Sequence, residues 1–246
     1  MMAWTHTLPT LAENLALDEA LLAAAEAGEC GEVLRFWELP FLGVVLGASG
    51  KLADEVDRAA CQRDGVPIAR RGSGGGTVLL GPGCLCFSCL LELRRRPELR
   101  NVTASYRLWL GHIAAALRLA VPDLAATLAG QSDLAADGWK FSGNAQKRGR
   151  DFLLHHGTLL YAFDLAAMTI YLRQPVRQPA YRADRPHGDF VRNLPAEGAA
   201  LRAALCHAGQ AQAVAAAPEA AFAAALARVP ELVARRHGNP AWTERC

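Results

Sequence analysis

Arg70-Arg71-Gly72-Ser73-Gly74-Gly75-Gly76 concentrates more potential chemistry than any other short segment of this chain. Three consecutive glycines permit positive φ and let the backbone approach a bound group closely. Amides exposed in such a loop can cradle a carboxylate or a phosphate. The two arginines add permanent charge in a forked geometry. A P-loop is excluded: it closes on Gly-Lys-Ser/Thr, whereas Thr77-Val78-Leu79-Leu80 follows here. A dinucleotide fingerprint needs a helix after its glycines, and residues 77–80 are β-like. A plain hairpin turn also accommodates such a cluster.

A second segment, Trp139-Lys140-Phe141-Ser142-Gly143-Asn144-Ala145-Gln146, sets one lysine in a strand-like stretch ahead of a predicted turn at Gly143-Asn144. A third, Leu153-Leu154-His155-His156-Gly157-Thr158-Leu159-Leu160, puts two histidines inside an apolar strand. Histidines there must be hydrogen-bonded or functional, and Gly157 admits close backbone approach. Cys84, Cys86 and Cys89 lack the paired spacing of a zinc site. On a strand, Cys84 and Cys86 face one way and Cys89 the other, so they read as buried apolar thiols.

The elements that position these groups follow from pattern. Thr10-Leu11-Ala12-Glu13 has capping-box spacing, and Leu11, Leu15 and Leu22 give the helix an apolar stripe, with Glu13, Asp18 and Glu19 as its polar side. Strands are expected at 33–37, 42–46, 66–69, 77–80, 84–93, 139–142 and 152–163. Helices are expected at 52–64, 102–119 and 165–172. Residues 175–195 form a polar loop rich in Arg and Pro. Alanine-rich helices follow from 196, broken near Pro218 and Pro230. This mixture predicts an α+β layered domain over 1–195, with a short helical extension over 196–246.

Composition bounds the function. Hydrophobic residues make up 52% of the 246, enough for a sizeable core, and a net charge of +2 gives no electrostatic case for nucleic acid. Arg94-Arg95-Arg96, followed by Pro97 and Glu98, reads as a solvated loop. No apolar run reaches the roughly 18 residues of a membrane helix, and no basic-then-apolar leader opens the sequence. Seven cysteines without an export signal predict reduced thiols in the cytoplasm.

Taken in order, Arg70-Arg71 through Gly76, Lys140 through Gln146, and His155-His156-Gly157-Thr158-Leu159-Leu160 resemble the lipoate–protein ligase A family. Asn14, Ala16, Asp18 and Glu19, then Leu34-Arg35-Phe36-Trp37 and Val44-Val45-Leu46-Gly47, are similar to that family's first helix and early strands. The resemblance spans about residues 10–195. It implies the biotin/lipoate ligase fold, a mixed, mostly antiparallel sheet with packed helices. It further implies ATP-dependent joining of lipoic or octanoic acid to a lysine of an apo lipoyl-domain acceptor, through an acyl-adenylate.

The family pattern makes Lys140 the catalytic charge between acyl carboxylate and phosphate. Arg70, Arg71, Ser73, Gly74, Gly75, Gly76, Thr77, Ser142, Gly143, Ala145, His155, His156, Gly157 and Thr158 are then expected around the adenylate and the acyl chain, with Ser73 a donor to phosphate. Asp133, the carboxylate just upstream of Lys140, is expected to hold Mg²⁺, which accompanies ATP on one or two protein carboxylates, or to orient the nucleotide. The loop 177–193 is expected to cover the adenylate.

Two departures stand out. The family often has His-Asp after the glycines, where this chain has Val78-Leu79-Leu80-Gly81-Pro82-Gly83-Cys84. Full-length ligases also carry an accessory domain, for which 196–246 is short, so either a separate accessory subunit or a reduced form of the enzyme is expected. The sister octanoyl- and lipoyl-transferases use a cysteine thioester and no ATP. No cysteine lies between Cys89 and Lys140, and Gly130-Gln131-Ser132-Asp133 resembles the ligase form. A non-catalytic lipoyl-binding homologue is the third reading.

Overall fold

Alternating apolar stretches and short breaks fold into two sheets in a computed structural model, which describes residues 1–213 and 218–245. The strands are β1 (Met2–Thr5), β2 (Val33–Trp37), β3 (Gly43–Leu46), β4 (Ile68–Arg70), β5 (Val78–Leu80), β6 (Cys84–Glu92), β7 (Thr127–Ala129), β8 (Asp133–Ala136), β9 (Trp139–Arg148), β10 (Phe152–Leu160) and β11 (Gln212–Ala213). The large sheet runs β11-β1-β2-β6-β10-β9-β8-β7, and the small one β4-β3-β5. β1 pairs in parallel with β2 and β11, and β3 with β4; the other ladders are antiparallel. This is the mixed, mostly antiparallel arrangement expected from the sequence.

The first helix, α1 (Leu11–Glu26), starts at its capping box. Thr10 Oγ1 accepts from the Glu13 amide at 3.2 Å, and the Glu13 carboxylate accepts from the Thr10 amide at 2.9 Å. It is buried on two sides. Leu11 and Leu15 pack into the core around the small sheet, while Ala16, Leu17, Ala20, Leu21 and Ala24 pack with Trp4 and Leu90. Solvent reaches the helix along Ala12, Glu19, Ala23 and Glu26, and Asp18 lies off that strip, so the expected polarity of that residue is corrected: Asp18 is buried and paired. Its carboxylate meets the guanidinium of Arg35 at 2.6 Å and the hydroxyl of Ser88 at 2.6 Å. Arg35 also donates to Asn14 Oδ1 (2.6 Å) and to the carbonyls of Asn14 and His6. Burial lowers the pKa of Arg35, and the charge of Asp18 opposes that shift.

Expected and observed elements differ where tertiary partners decide. The helix expected over 52–64 is two pieces, α2 (Leu52–Glu55) and α3 (Arg58–Arg63). Val56 between them is extended, buried and bridged to Leu172, and Asp57 caps α3 by accepting from the Ala60 amide at 2.8 Å. No turn occurs at Gly143-Asn144; β9 runs through them, and the chain reverses at 149–151, where the Glu26 carboxylate accepts the amides of Asp151 and Phe152. Gly143 lacks positive φ, so its small size serves lateral space instead.

Beyond α4 (Val102–Leu117) and α5 (Ala167–Tyr171), the stretch from 196 contributes α6 (Gly198–Gly209), α7 (Pro218–Ala221), α8 (Ala223–Leu232) and α9 (Pro240–Thr243). Residues 214–217 and 246 of the expected extension lie outside the described residues. Leu201, Ala204 and Leu205 of α6 share a core with Leu34 and Phe36, and Ala225 and Val229 of α8 pack in the same core as α1. Pro230 does not break its helix; α8 continues to Leu232 and passes into a π-turn, Val233–His237. No described helix is long and apolar enough to cross a membrane.

Two consequences are measurable. Arg35→Ala strands a buried carboxylate and should cost about 3–5 kcal/mol, read as a lower urea midpoint. Glu19 gives the second. Burial alone would raise its pKa, but hydrogen bonds from His237 and Lys147, with the charges of Lys147 and Arg236, bring it from 4.5 down to about 2. A depressed folded-state pKa means that the stabilisation is complete above pH 4.5 and fades as pH falls from there towards 2. Glu19→Gln should therefore be less stable than the parent at neutral pH and lose the difference across that window, as followed by thermal melts at stepped pH.

Candidate active site

A cleft opens between α1, the small sheet and the central strands of the large sheet. Its lining combines apolar Leu15, Trp37, Val45, Val78, Leu80 and Cys86 with polar Asp18, Arg71, Thr77, Ser88, Asp133, Lys140 and His156. Polar groups set among apolar ones are the usual make-up of a small-molecule site.

Lys140 owes its place to a bulge. Asp133 pairs with Gly143 across β8–β9, and Ala135, two residues on, pairs with Lys140, three residues back. Side chains alternate along a strand, so in regular register Phe141 would lie opposite Ala135. The extra residue turns Lys140 onto the face of Asp133 and sends Phe141 into the core behind the sheet. Lys140 Nζ lies 2.9 Å from Asp133 Oδ1. A Cβ on Gly143 would stand 3.1 Å from that nitrogen, so glycine leaves the ammonium its room.

The segment after α5 packs against this edge. The amide of Lys140 donates to Phe190 O, the amide of Arg192 donates to Lys140 O (2.9 Å each), and Tyr181 donates its hydroxyl to Asp133 Oδ2 at 2.8 Å. Burial, then the Asp133 charge, pushes the Tyr181 phenol well up, so it stays protonated and donating.

The glycine loop folds around its own arginine. Arg71 Nη2 donates to Gly74 O (2.6 Å) and Gly76 O (2.9 Å), and Arg71 Nε donates to Ser73 Oγ (3.1 Å). Gly75 takes a φ of +94°, where a side chain is strained. Gly47 has no Cβ at the place where Gly75 O sits. Burial lowers Arg71 to about 10, which leaves it charged at neutral pH. Thr77 closes the loop by donating to Glu55 Oε2 at 2.5 Å.

His156 faces the cleft. Burial, then the charges of Arg71 and His155, lower it to about 3, so the ring is neutral. Its Nε2 lies 2.7 Å from Ser73 Oγ. Ser73 Oγ thus joins the Arg71 guanidinium to the His156 ring. Ser73, expected as a donor to phosphate, does not wall the cleft; its hydroxyl lies within the loop, between Arg71 and His156.

Arg71, Gly75, Gly76, Thr77, Gly143, Ala145, His156, Gly157, Thr158, Asp133 and Lys140 come together around the cleft. Others expected there do not. Arg70 is fully buried, with its guanidinium on main-chain carbonyls away from the cleft. Gly74 turns its carbonyl to Arg71 and is not a wall residue. His155 and Ser142 lie on the reverse face of the sheet, since strand neighbours alternate. There His155 stacks on Phe87, and both residues engage Asn144: His155 Nε2 lies 3.3 Å from Asn144 Oδ1, and Asn144 Nδ2 donates to Ser142 Oγ (3.0 Å) and Ser132 O (2.9 Å). The motif reading missed Leu15, Trp37, Val45, Val78 and Leu80 as walls; the i, i+4 apolar pair Leu11 and Leu15 on α1 was their clearest signal. No set of three His, Cys, Asp or Glu among the described residues is disposed to hold a metal by itself.

Gly157 offers a direct check of this packing. A Cβ there would overlap Asn144 Oδ1 and lie 2.9 Å from Phe87 Cζ. Gly157→Ala should lose about 1–3 kcal/mol, measured by chemical denaturation.

Comparison with known proteins agrees with this geometry. The family described as the lipoyl protein ligase A/B catalytic domain matches residues 10–205. A probable lipoate-protein ligase A of Mycoplasma pneumoniae is 34% identical over 160 residues, which cover 65% of this chain and 45% of that one. An octanoyltransferase LipM of Carboxydothermus hydrogenoformans is 33% identical over 170 residues, covering 63% and 62%. The chain thus matches less than half the length of the Mycoplasma relative. Among solved structures, a bi-partite lipoate protein ligase of Thermoplasma acidophilum superposes with a TM-score of 0.80 at 21% identity, over 99% of this chain and 95% of that one. A lipoate-protein ligase A bound with ATP gives 0.78 at 20% identity, over 99% of each chain. These last two likenesses establish the fold.

Proposed function

This chain belongs to the lipoyl protein ligase A/B catalytic family, and on that premise we propose that it joins lipoate, or a related medium-chain acid, to a lysine of an acceptor lipoyl domain at the expense of ATP. The observation that carries this reading is the Lys140 ammonium, turned by the β8–β9 bulge into a cleft that is lined by apolar side chains and bordered by the glycine loop.

A carboxylate attacking the α-phosphate of ATP brings two anions together. Lys140 opposes that repulsion by exchanging its partner Asp133 for the incoming oxygens, and its fixed charge stabilises the transition state more in a dry cleft than in water. An acid oxygen forms the new bond to phosphorus, and pyrophosphate leaves. The acceptor amine then attacks the acyl carbon of the mixed anhydride, loses its proton, and expels AMP. The apolar walls suit an eight-carbon chain. Arg71, Gly75, Gly76 and Thr77 form the polar border suited to the nucleotide.

Magnesium would supply charge neutralisation between the phosphates. Of the two carboxylates that border the cleft among the described residues, Asp18 is taken up by Arg35 and Ser88, and Asp133 would hold the ion together with phosphate and water. The segment 177–193, docked on Lys140 and Asp133 through Phe190, Arg192 and Tyr181, serves as the cover of the adenylate. The likeness to a ligase described as bi-partite supports a second polypeptide as an accessory to adenylation.

Cys86 separates this reading from an ATP-independent acyl transferase. It is the one thiol bordering the cleft among the described residues, and burial holds it well above the ordinary thiol range. The nucleophile must be the thiolate, so Cys86 is poorly suited to carry an acyl thioester.

The test is reconstitution with ATP, Mg²⁺, lipoate, an apo lipoyl domain and any accessory subunit, each omitted in turn, with the acceptor followed by mass spectrometry. Modification should stop without ATP. Lys140→Met should keep the fold and lose about 10²–10³ in adenylation rate. Labelling from an acyl-carrier thioester without ATP would favour the transferase instead.

A further inference from the structure

The strand that delivers the glycine loop is gripped by a segment distant in sequence, and we propose that residues 233–245 are a clasp that positions this loop for its nucleotide. The inference rests on the proposed reading of the loop as the nucleotide border.

Arg70 is the handle. Its buried guanidinium donates in two directions. Nη1 reaches Gly47 O (2.9 Å) and Gly50 O (2.6 Å), beside the small sheet. Nε and Nη2 reach Trp242 O (3.0 Å), Thr243 O (2.7 Å from Nη2) and Arg245 O (2.8 Å) in the clasp. These bonds tie two pieces of main chain together through their carbonyls.

The grip is returned. The carbonyl of Arg70 accepts from the Trp242 indole at 3.1 Å and lies 3.0 Å from His237 Nδ1. The other ring nitrogen of His237 lies 3.2 Å from Glu19, whose second oxygen holds Lys147 of β9 at 2.9 Å. Glu19 and Lys147 border Gly72 so closely that a Cβ there would stand 2.9 Å from both. The clasp and its partners therefore fix both sides of Arg71, the residue whose guanidinium folds Gly74 to Gly76. Releasing the clasp loosens β4 at Arg70, and the displacement passes to Arg71 and so to the loop. The wall side chains Leu15, Trp37 and Val45 are not partners in this tie, which α1 enters through Glu19 and β3 through its pairing with β4. Arg70, Trp242 and His237 act through Arg71 and are positioning residues.

Trp242→Phe removes one hydrogen bond but keeps a ring for the stacked Arg245, and Arg70→Lys removes the fork. In the full chain, hydrogen exchange at residues 73–77 should quicken in both variants. KM for ATP should rise about tenfold, the size of one lost hydrogen bond, while kcat and KM for lipoate stay within about twofold. Unchanged exchange in both folded variants would overturn the clasp, as would ATP and lipoate constants rising together with a lower melting temperature. If Arg70→Lys fails to fold, Trp242→Phe and His237→Asn decide. Should the parent neither bind ATP nor adenylate lipoate, the proposed function falls, and exchange at 73–77 still decides whether 233–245 governs the loop.

Discussion

One extra residue in β9 determines where the only ammonium bordering the cleft, among the described residues, can go. With the ladder in regular register, Lys140 would face the core behind the sheet, where a charge without a partner is costly. The bulge reverses that choice, gives the core Phe141, and pairs Lys140 with Asp133. Gly143 stays small because the ammonium occupies its space, and the backbone of 190–192 docks on Lys140 from the other side. The strand, the bulge and the docked segment are one device for holding a charge at the mouth of an apolar pocket.

Buried arginines supply much of the remaining order. Arg35 ties α1 to β2 through Asp18 and Asn14, Arg71 folds the glycine loop around its own fork, and Arg70 binds two stretches of main chain. A guanidinium suits this work because it offers five donors in a rigid plane and stays charged. Each is surrounded by acceptors, so desolvation is offset where the fold needs a fixed distance between elements.

The chemistry of the site was legible in the sequence where residue type alone limits what can be done. A triple glycine beside arginines, a lysine next to a glycine, and a histidine pair before a glycine each narrow the choices, and their order carries the family resemblance. What was not legible depended on partners far along the chain. Asp18 was assigned to a polar face because Arg35 is seventeen residues away, and Arg70 to the site because Trp242 and Thr243 lie more than 170 residues on. The alternation rule gave the correct opposite faces for Cys86 and Cys89, yet the same rule, unapplied to His155 and His156, placed both on the cleft. The bulge left no mark in composition, since Lys140 and Phe141 alternate acceptably in either register. β7 and β8 are short and mostly small or polar, so no periodicity announced them.

The pairing of Lys140 with Asp133 also bears on how a substrate finds the cleft. Opposite charges 2.9 Å apart act at a distance as a dipole, whose field decays faster than that of a lone cation and is further weakened by salt. Long-range attraction of an anion to the cleft therefore falls to Arg71, which borders it and stays charged at neutral pH, and Lys140 acts at contact, once its pair with Asp133 opens.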